Sequence, residues 1–166
     1  MSEITVIIVA HNSVSTLAEA IGSVLSQTHR PKEVIVVDDG SSDASSEVAK
    51  MYDEVMLLRQ KHMGFYAACN NGVIMASTPF ITLLDASKVW PKERLQKQSR
   101  WFKECDEVAC VCLEDKVISL ANALPLGGVS CSDVMMKRKV YNQLGGFDEL
   151  DDEIVADAFW MQMIGA

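Results

Sequence analysis

Three short polar groups within residues 11–88 carry the side chains best suited to chemistry. His11-Asn12 follows an apolar run over residues 4–9, Asp38-Asp39 follows a second run over 33–37, and Asp85-Ala86-Ser87-Lys88 follows a third over 80–84. Ionised carboxylates accept N–H hydrogen bonds and ligate hard divalent cations, His and Asn both donate and accept, and an ammonium such as Lys88 compensates phosphate charge. Any one of these groups reads as a turn or a helix cap. Three of them at corresponding positions read as a ligand site. The sequence has no GxGxxG after the first run, no GxxxxGK[ST] and no Gly-x-Ser-x-Gly, which excludes a glycine-cradled dinucleotide, a P-loop and a hydrolase elbow. What remains is a nucleotide held by carboxylates and main chain.

The elements that must position these groups alternate. Residues 4–9 read as a strand apolar on both faces, the signature of a buried parallel strand. Residues 16–27 carry Leu17, Ile21, Val24 and Leu25 at helical spacing, opened by a capping-box pattern, Thr16 to Glu19. A second strand over Glu33–Val37 precedes a helix capped by Ser42 or Asp43 and running to about Tyr52. A strand over Glu54–Leu58, a helix near 65–76 and a strand over Phe80–Leu84 follow. Pro91 suits the first turn of the next helix, and Val108–Leu113 reads as a fifth strand. Beyond it, 114–128 reads as a loop, 129–136 as a strand, Lys137–Leu144 as a short helix stopped by Gly145-Gly146, and 153–163 as a final helix. This βαβα order predicts an α/β fold with a mostly parallel, doubly wound sheet flanked by helices. In such a sheet ligands bind beyond the carboxyl ends of the strands, where the three polar groups fall. A receiver-like signalling domain would need its acids after the first and third strands, and here they follow the second and fourth.

Length and charge bound the partners. The 166 residues suit a single domain, and an apolar share of 49% fills one core without staples. Residues 1–104 carry 11 basic and 12 acidic side chains, net −1, and residues 105–166 carry 4 and 11, net −7. With no basic stripe, nucleic acid is not an expected partner. No apolar run approaches the roughly 20 residues of a transmembrane segment, and no signal-peptide pattern opens the chain, so a cytoplasmic location is expected. Five cysteines, none in a CxxC pair, read as reduced thiols.

Five ordered stretches, Thr5–Asn12, Ala20–Thr28, Glu33–Ser41, Ala67–Gly72 and Phe80–Asp85, together with Gly145-Gly146-Phe147-Asp148-Glu149, resemble family 2 glycosyltransferases of GT-A fold. The resemblance is dense over 3–112 and looser over 129–160. It implies transfer of a sugar, with inversion, from a nucleotide-diphosphate donor, UDP-linked by expectation, to an acceptor hydroxyl. By position it assigns Val9, Ala10, His11 and Asn12 to the nucleobase and ribose, and Asp39 to the pyrimidine N–H. Asp85 falls beside the diphosphate. A divalent cation, Mg²⁺ or Mn²⁺, would rest on Asp85 and Ser87, weakly, because the family's second metal-binding Asp is serine here. Residues 1–112 would be a nucleotide-binding half and 113–166 an abbreviated acceptor half. With Trp160 as anchor, the family's acidic base pair aligns with Val155-Ala156, and Asp157, the nearest carboxylate, becomes the candidate catalytic base. The alternative is a nucleotide-binding or regulatory module of the same fold without turnover. A homo-oligomer or a partner chain that completes the site stays open.

Overall fold

The computed structural model describes residues 3–104, 108–111, 117–119, 132 and 134–147. The candidate base Asp157, the Val155-Ala156 pair and the expected final helix over 153–163 lie outside these residues, as do Cys105, Cys112 and Cys131.

Among the described residues, seven strands form one sheet. They are β1 (Ile4–Ala10), β2 (Glu33–Asp39), β3 (Val55–Gln60), β4 (Phe80–Asp85), β5 (Val108–Val111), β6 (Val117–Ser119) and β7 (Met135–Lys137), in spatial order β3-β2-β1-β4-β7-β5-β6. The first four pair in parallel. At β7 the sheet turns mixed, because β7 runs antiparallel to both β4 and β5, and β6 returns antiparallel to β5. The expectation of a mostly parallel α/β sheet therefore holds for the first half of the chain, and the second half contributes the antiparallel strands. Among the described residues there are five helices: α1 (Leu17–Leu25), α2 (Ser45–Ala49), α3 (Phe65–Met75) and α4 (Arg94–Glu104) between strands, and α5 (Arg138–Gln143) after β7. Among the described residues no helix is long and apolar enough to cross a membrane.

Strand alternation divides the core into two layers. Ile4, Val6, Ile8 and Ala10 of β1, with Val34 and Val36 of β2, pack beneath α1, α2 and α4, against Leu17, Ile21, Val24, Leu95 and Phe102. Ile7 and Val9, with Ile35 and Val37, face the other way onto Ala68, Cys69 and Val73 of α3 and onto Tyr141 and Phe147. All seven residues of β1 are buried, which is why the run is apolar on both faces. Cys69 is buried in the second layer. Trp90 packs in the first layer, 5% exposed, with the Arg94 guanidinium 4.0 Å over its ring.

Several boundaries differ from the expectation, each for a local reason. The second and fourth strands extend through Asp39 and Asp85, because ladder pairing continues past the last apolar residue: Ala10 pairs with Asp38, Asp39 with Gln60 and Val9 with Asp85. Thr16 does not cap α1 through its side chain. Its hydroxyl donates to the Ser13 carbonyl, which also accepts the N–H groups of Thr16 and Leu17. The helix after Asp43 stops at Ala49, and α4 begins at Arg94, after a turn at Pro91. Strand β6 lies in the stretch read as a loop, since three residues are too few to show a period, and β7 is shorter than the strand expected over 129–136. Helix α5 does end before Gly145 and Gly146, both at φ 83°.

Gly72 marks the tightest contact between α3 and the sheet. A Cβ placed there would lie 2.4 Å from Ile7 Cγ2 and 3.2 Å from Val37 Cγ2. Both neighbours are β-branched and fully buried, with little rotamer freedom to yield. Gly72→Ala is therefore expected to lower stability by about 1–3 kcal/mol through overpacking, outweighing the gain in helix propensity, as read from the urea unfolding midpoint.

Candidate functional site

The order β3-β2-β1-β4 contains a topological switch point. The chain steps outward from β1 to β2 and β3, then crosses to β4 on the other side of β1, so the loops leaving β1 and β4 diverge and open a crevice at their carboxyl ends. His11 and Asn12 leave β1 there and Asp85 ends β4. Asp38 and Asp39 end β2 on the far side of β1, two strand spacings from β4, or about 10 Å.

The adjacent carboxylates of β2 point to opposite faces. Asp38, 1% exposed, turns toward α2, where it accepts from Ser41 N–H at 2.9 Å, the Ser46 hydroxyl and Arg59 Nε at 3.2 Å. Asp39, also 1% exposed, turns toward the loop between β3 and α3. Its Oδ1 accepts from Gln60 Nε2 at 2.8 Å and Met63 N–H at 2.8 Å, and its Oδ2 from His62 Nδ1 at 2.8 Å and Gly64 N–H at 2.9 Å. Those four donors match the lone-pair capacity of a carboxylate. Gln60 is itself held by Asn71, whose Nδ2 donates to Oε1 at 2.7 Å. Burial pushes the Asp39 carboxyl up, and the hydrogen bonds from Met63, Gln60, Gly64 and His62 together outweigh it, holding the group below the usual carboxyl value. For Asp38 burial is likewise outweighed, by Ser41, Ser46 and Arg59.

His11 and Asn12 are exposed and are set by the same turn region. His11 Nδ1–H donates to the Asp39 carbonyl at 2.7 Å, which leaves Nε2 as a lone-pair acceptor for Asn12 Nδ2 at 3.1 Å. Asn12 adopts φ 49°, in the left-handed region that Asn tolerates better than most residues. The loops after β1 and β2 zip together there: Asn12 N–H donates to Ser41 Oγ, Ser42 N–H to Asn12 Oδ1, Ser13 N–H to Ser45 Oγ and Val14 N–H to Asp43 Oδ2. Val9 and Ala10 are buried, and Val9 O accepts from Ala86 N–H at 2.9 Å, which fixes the start of the β4 loop against β1. Gly40, at φ 71°, packs under His62; a Cβ there would meet His62 N at 2.5 Å.

At β4, Asp85 Oδ1 accepts from Ser87 N–H at 2.8 Å and Ser87 Oγ at 2.6 Å. No hydrogen bond to Oδ2 is present among the described residues. Asp85 N–H donates to Ser132 Oγ, and the buried Arg94 guanidinium donates to Ser132 O. Lys88 is exposed and its N–H closes the turn onto Asp85 O. Of the sequence-derived residues, His11, Asn12 and Asp39 come together directly, while Asp85 and Ser87 form a second group across β1.

Gln60, His62, Asn70 and Arg94 were not singled out from sequence. Asn70 clamps the glycine-rich segment: its Oδ1 accepts from Phe147 N–H at 3.0 Å and from the Tyr141 hydroxyl, and its Nδ2 donates to Phe147 O at 2.9 Å. Gln60 ends β3 and His62 lies in the loop after it, the same carboxyl-end position that marks the polar groups of the other three strands.

A mixed sheet with a polar crevice at this switch point defines an open-sheet α/β protein, and comparison gives the particular kind. The family model for glycosyl transferase family 2 matches residues 5–122, and the chain belongs to that family. An uncharacterized glycosyltransferase of Nostoc sp. is 36% identical over 111 residues, 64% of this chain and 34% of its own length. Glycosyltransferase GlyA of Streptococcus pneumoniae is 34% identical over 88 residues, 51% of this chain and 13% of its own. The chain thus spans about a third of the first relative's length and about an eighth of the second's. Among solved structures, the S. aureus TarS fragment 1–349, also solved with UDP and with UDP-GlcNAc, superposes at TM-score 0.79 with 17% identity, covering 99% of this chain and 55% of that one. The mannosyltransferase PcManGT of Pyrobaculum calidifontis, in complex with GDP-Man and Mn²⁺, superposes at 0.82 with 20% identity over 97% and 51%. The fold is that of the GT-A glycosyltransferases.

Removing the Asp39 carboxylate orphans the Met63 and Gly64 N–H groups. Asp39→Ala is expected to cost about 2–5 kcal/mol of stability, measured by urea unfolding. Because the folded-state values of Asp38 and Asp39 lie below the usual 3.8, their stabilisation is complete above that value and is lost as the pH falls through the lowered folded values. The urea midpoint is therefore expected to fall below about pH 4, and less steeply in Asp39→Ala.

Proposed function

We propose that this chain binds a nucleoside-diphosphate sugar, a UDP-sugar, at the carboxyl edge of β1, β2 and β4, and transfers the sugar with inversion to an acceptor hydroxyl. The observation that carries the reading is the pairing, at one switch-point crevice of a family 2 glycosyltransferase fold, of the His11–Asn12–Asp39 group with Asp85 about 10 Å away across β1. That separation suits a ligand whose base lies at one end and whose diphosphate lies at the other. In support, TarS is solved with UDP and UDP-GlcNAc.

On this reading the main chain of Val9 and Ala10 and the side chains of His11 and Asn12 border the base and ribose, and Asp39 accepts the imide N–H. All four acceptor positions of Asp39 are filled, so the base must replace a donor. His62, with a side chain 61% exposed, is the partner whose displacement costs least. At the diphosphate end, Asp85 offers Oδ2 while Ser87 holds Oδ1. One carboxylate oxygen with substrate phosphates is within the range by which Mg²⁺ is held, so Asp85 and Ser87 fit a weak divalent site. A cation bound there would neutralise charge on the leaving diphosphate, and the Lys88 ammonium, on the same turn, would add to it. Asp157 is the proposed base. Residues 1–112 form the donor half and 113–166 the acceptor half of one domain. The alternative, a nucleotide-binding module without turnover, draws on the Asp85-Ala86-Ser87 motif and the Val155-Ala156 pair.

Calorimetric titration with UDP and UDP-GlcNAc is expected to show binding that Mn²⁺ tightens, with the Mn²⁺ effect lost in Asp85→Asn. Absence of binding with and without the metal would overturn the donor site. Asp157→Asn is expected to lower transfer by roughly 10²-fold or more, the share of a general base, in an assay of UDP release. Unchanged turnover removes Asp157 from the mechanism, and binding with no turnover in either protein favours the non-catalytic module.

A further inference from the structure

The geometry points to a second cation site, for a borderline transition metal of the Zn²⁺ class, ligated by His11 and His62 and oriented by Asp39. The two imidazoles are stacked, with ring centroids 4.1 Å apart and planes 24° from parallel. One ligand atom from each of His11, Asp39 and His62 lies within 4.8 Å of the others. Both rings aim Nδ1–H at the same residue, His11 at the Asp39 carbonyl and His62 at its carboxylate. With Nδ1 protonated, each ring carries its lone pair on Nε2.

This is the arrangement by which metal-binding histidines are fixed: one ring nitrogen donates to a carbonyl or carboxylate, which sets the tautomer and raises the basicity of the other. The orienting group is itself rigid, since Asp39 is buried and held by two backbone N–H groups and by Gln60, which Asn71 holds in turn. Both rings are exposed; in the stack their Nε2 lone pairs run side by side, and turning the His62 ring about its Nδ1–H bond to Asp39 would bring them onto one ion. Asn12 then gives up its hydrogen bond to His11 Nε2, and water fills the remaining positions. Two imidazoles suit Zn²⁺, Co²⁺ or Ni²⁺, whereas Mg²⁺ requires oxygen ligands. The site is therefore chemically distinct from the Asp85–Ser87 group, and it does not depend on the donor reading.

The test uses Zn²⁺ and Co²⁺ on the whole chain, without nucleotide. The sequence has three histidines, so His29 is an internal reference. Zn²⁺ is expected to shift the imidazole resonances of His11 and His62 and to leave those of His29 in place. Loss of a ligand is expected to cost at least as much as loss of an orienting partner, so His11→Gln and His62→Gln should each weaken Co²⁺ binding by at least roughly tenfold. Both substitutions are at exposed positions, and the urea midpoint verifies that each variant folds. Equal shifts at all three histidines, no shift at His11 and His62, or Co²⁺ affinity unchanged in both folded variants would each overturn the proposal.

Discussion

A carboxylate that is almost completely buried must find a full set of donors or it will not stay charged, and the way Asp39 meets this requirement organises the crevice. Its four hydrogen bonds come from the end of β3 and the loop after it, more than 20 residues further along the chain. That loop is held against Asp39 by the pairing of β3 with β2. It places His62 against His11 and sets Gly64 at the start of α3. The peptide carbonyl of the same residue orients the His11 ring. Main chain and side chain of one aspartate thus fix the loops that follow β1 and β3.

The neighbouring carboxylate does related work on the opposite face. Asp38 binds the turn at Ser41 and the first turn of α2 at Ser46, and that turn supplies the hydroxyls and the Asp43 carboxylate that receive the N–H groups of Asn12, Ser13 and Val14. These bonds hold the loop after β1 in one conformation at the mouth of the crevice. Alternation along β2 is what lets two consecutive aspartates serve separate loops. Most of the polar atoms near the crevice are therefore occupied in holding its shape, while Asp85 Oδ2 has no hydrogen bond among the described residues.

The edge of the parallel half is closed by a different device. After α5 the chain turns at Gly145 and Gly146, and Asn70 from the middle of α3 pairs with both main-chain polar groups of Phe147, whose ring packs beside Tyr66 and Tyr141. One amide side chain thereby joins the antiparallel part of the molecule to the helix that covers the parallel strands.

The parallel strands, their order along the chain and the polar groups at their ends were legible because buried strands must be apolar on both faces, and the runs at 4–9, 33–37 and 80–84 have no other reading as dense. The resemblance over 3–112 identified the family from contiguous stretches, and the family model agrees. Tertiary structure decided what side-chain period cannot encode. The three-residue strand β6 depends on pairing, not on its own pattern. The ends of β2 and β4 are set by ladder hydrogen bonds that continue into aspartates. The roles of Gln60 and His62 follow from the register that sets Asp39 beside Gln60, a relation between residues 21 apart that no local pattern records. The sequence by itself determined which residues could face a ligand; only the folded sheet decided which of them are already bound to each other, because hydrogen-bond saturation is a property of neighbours in space.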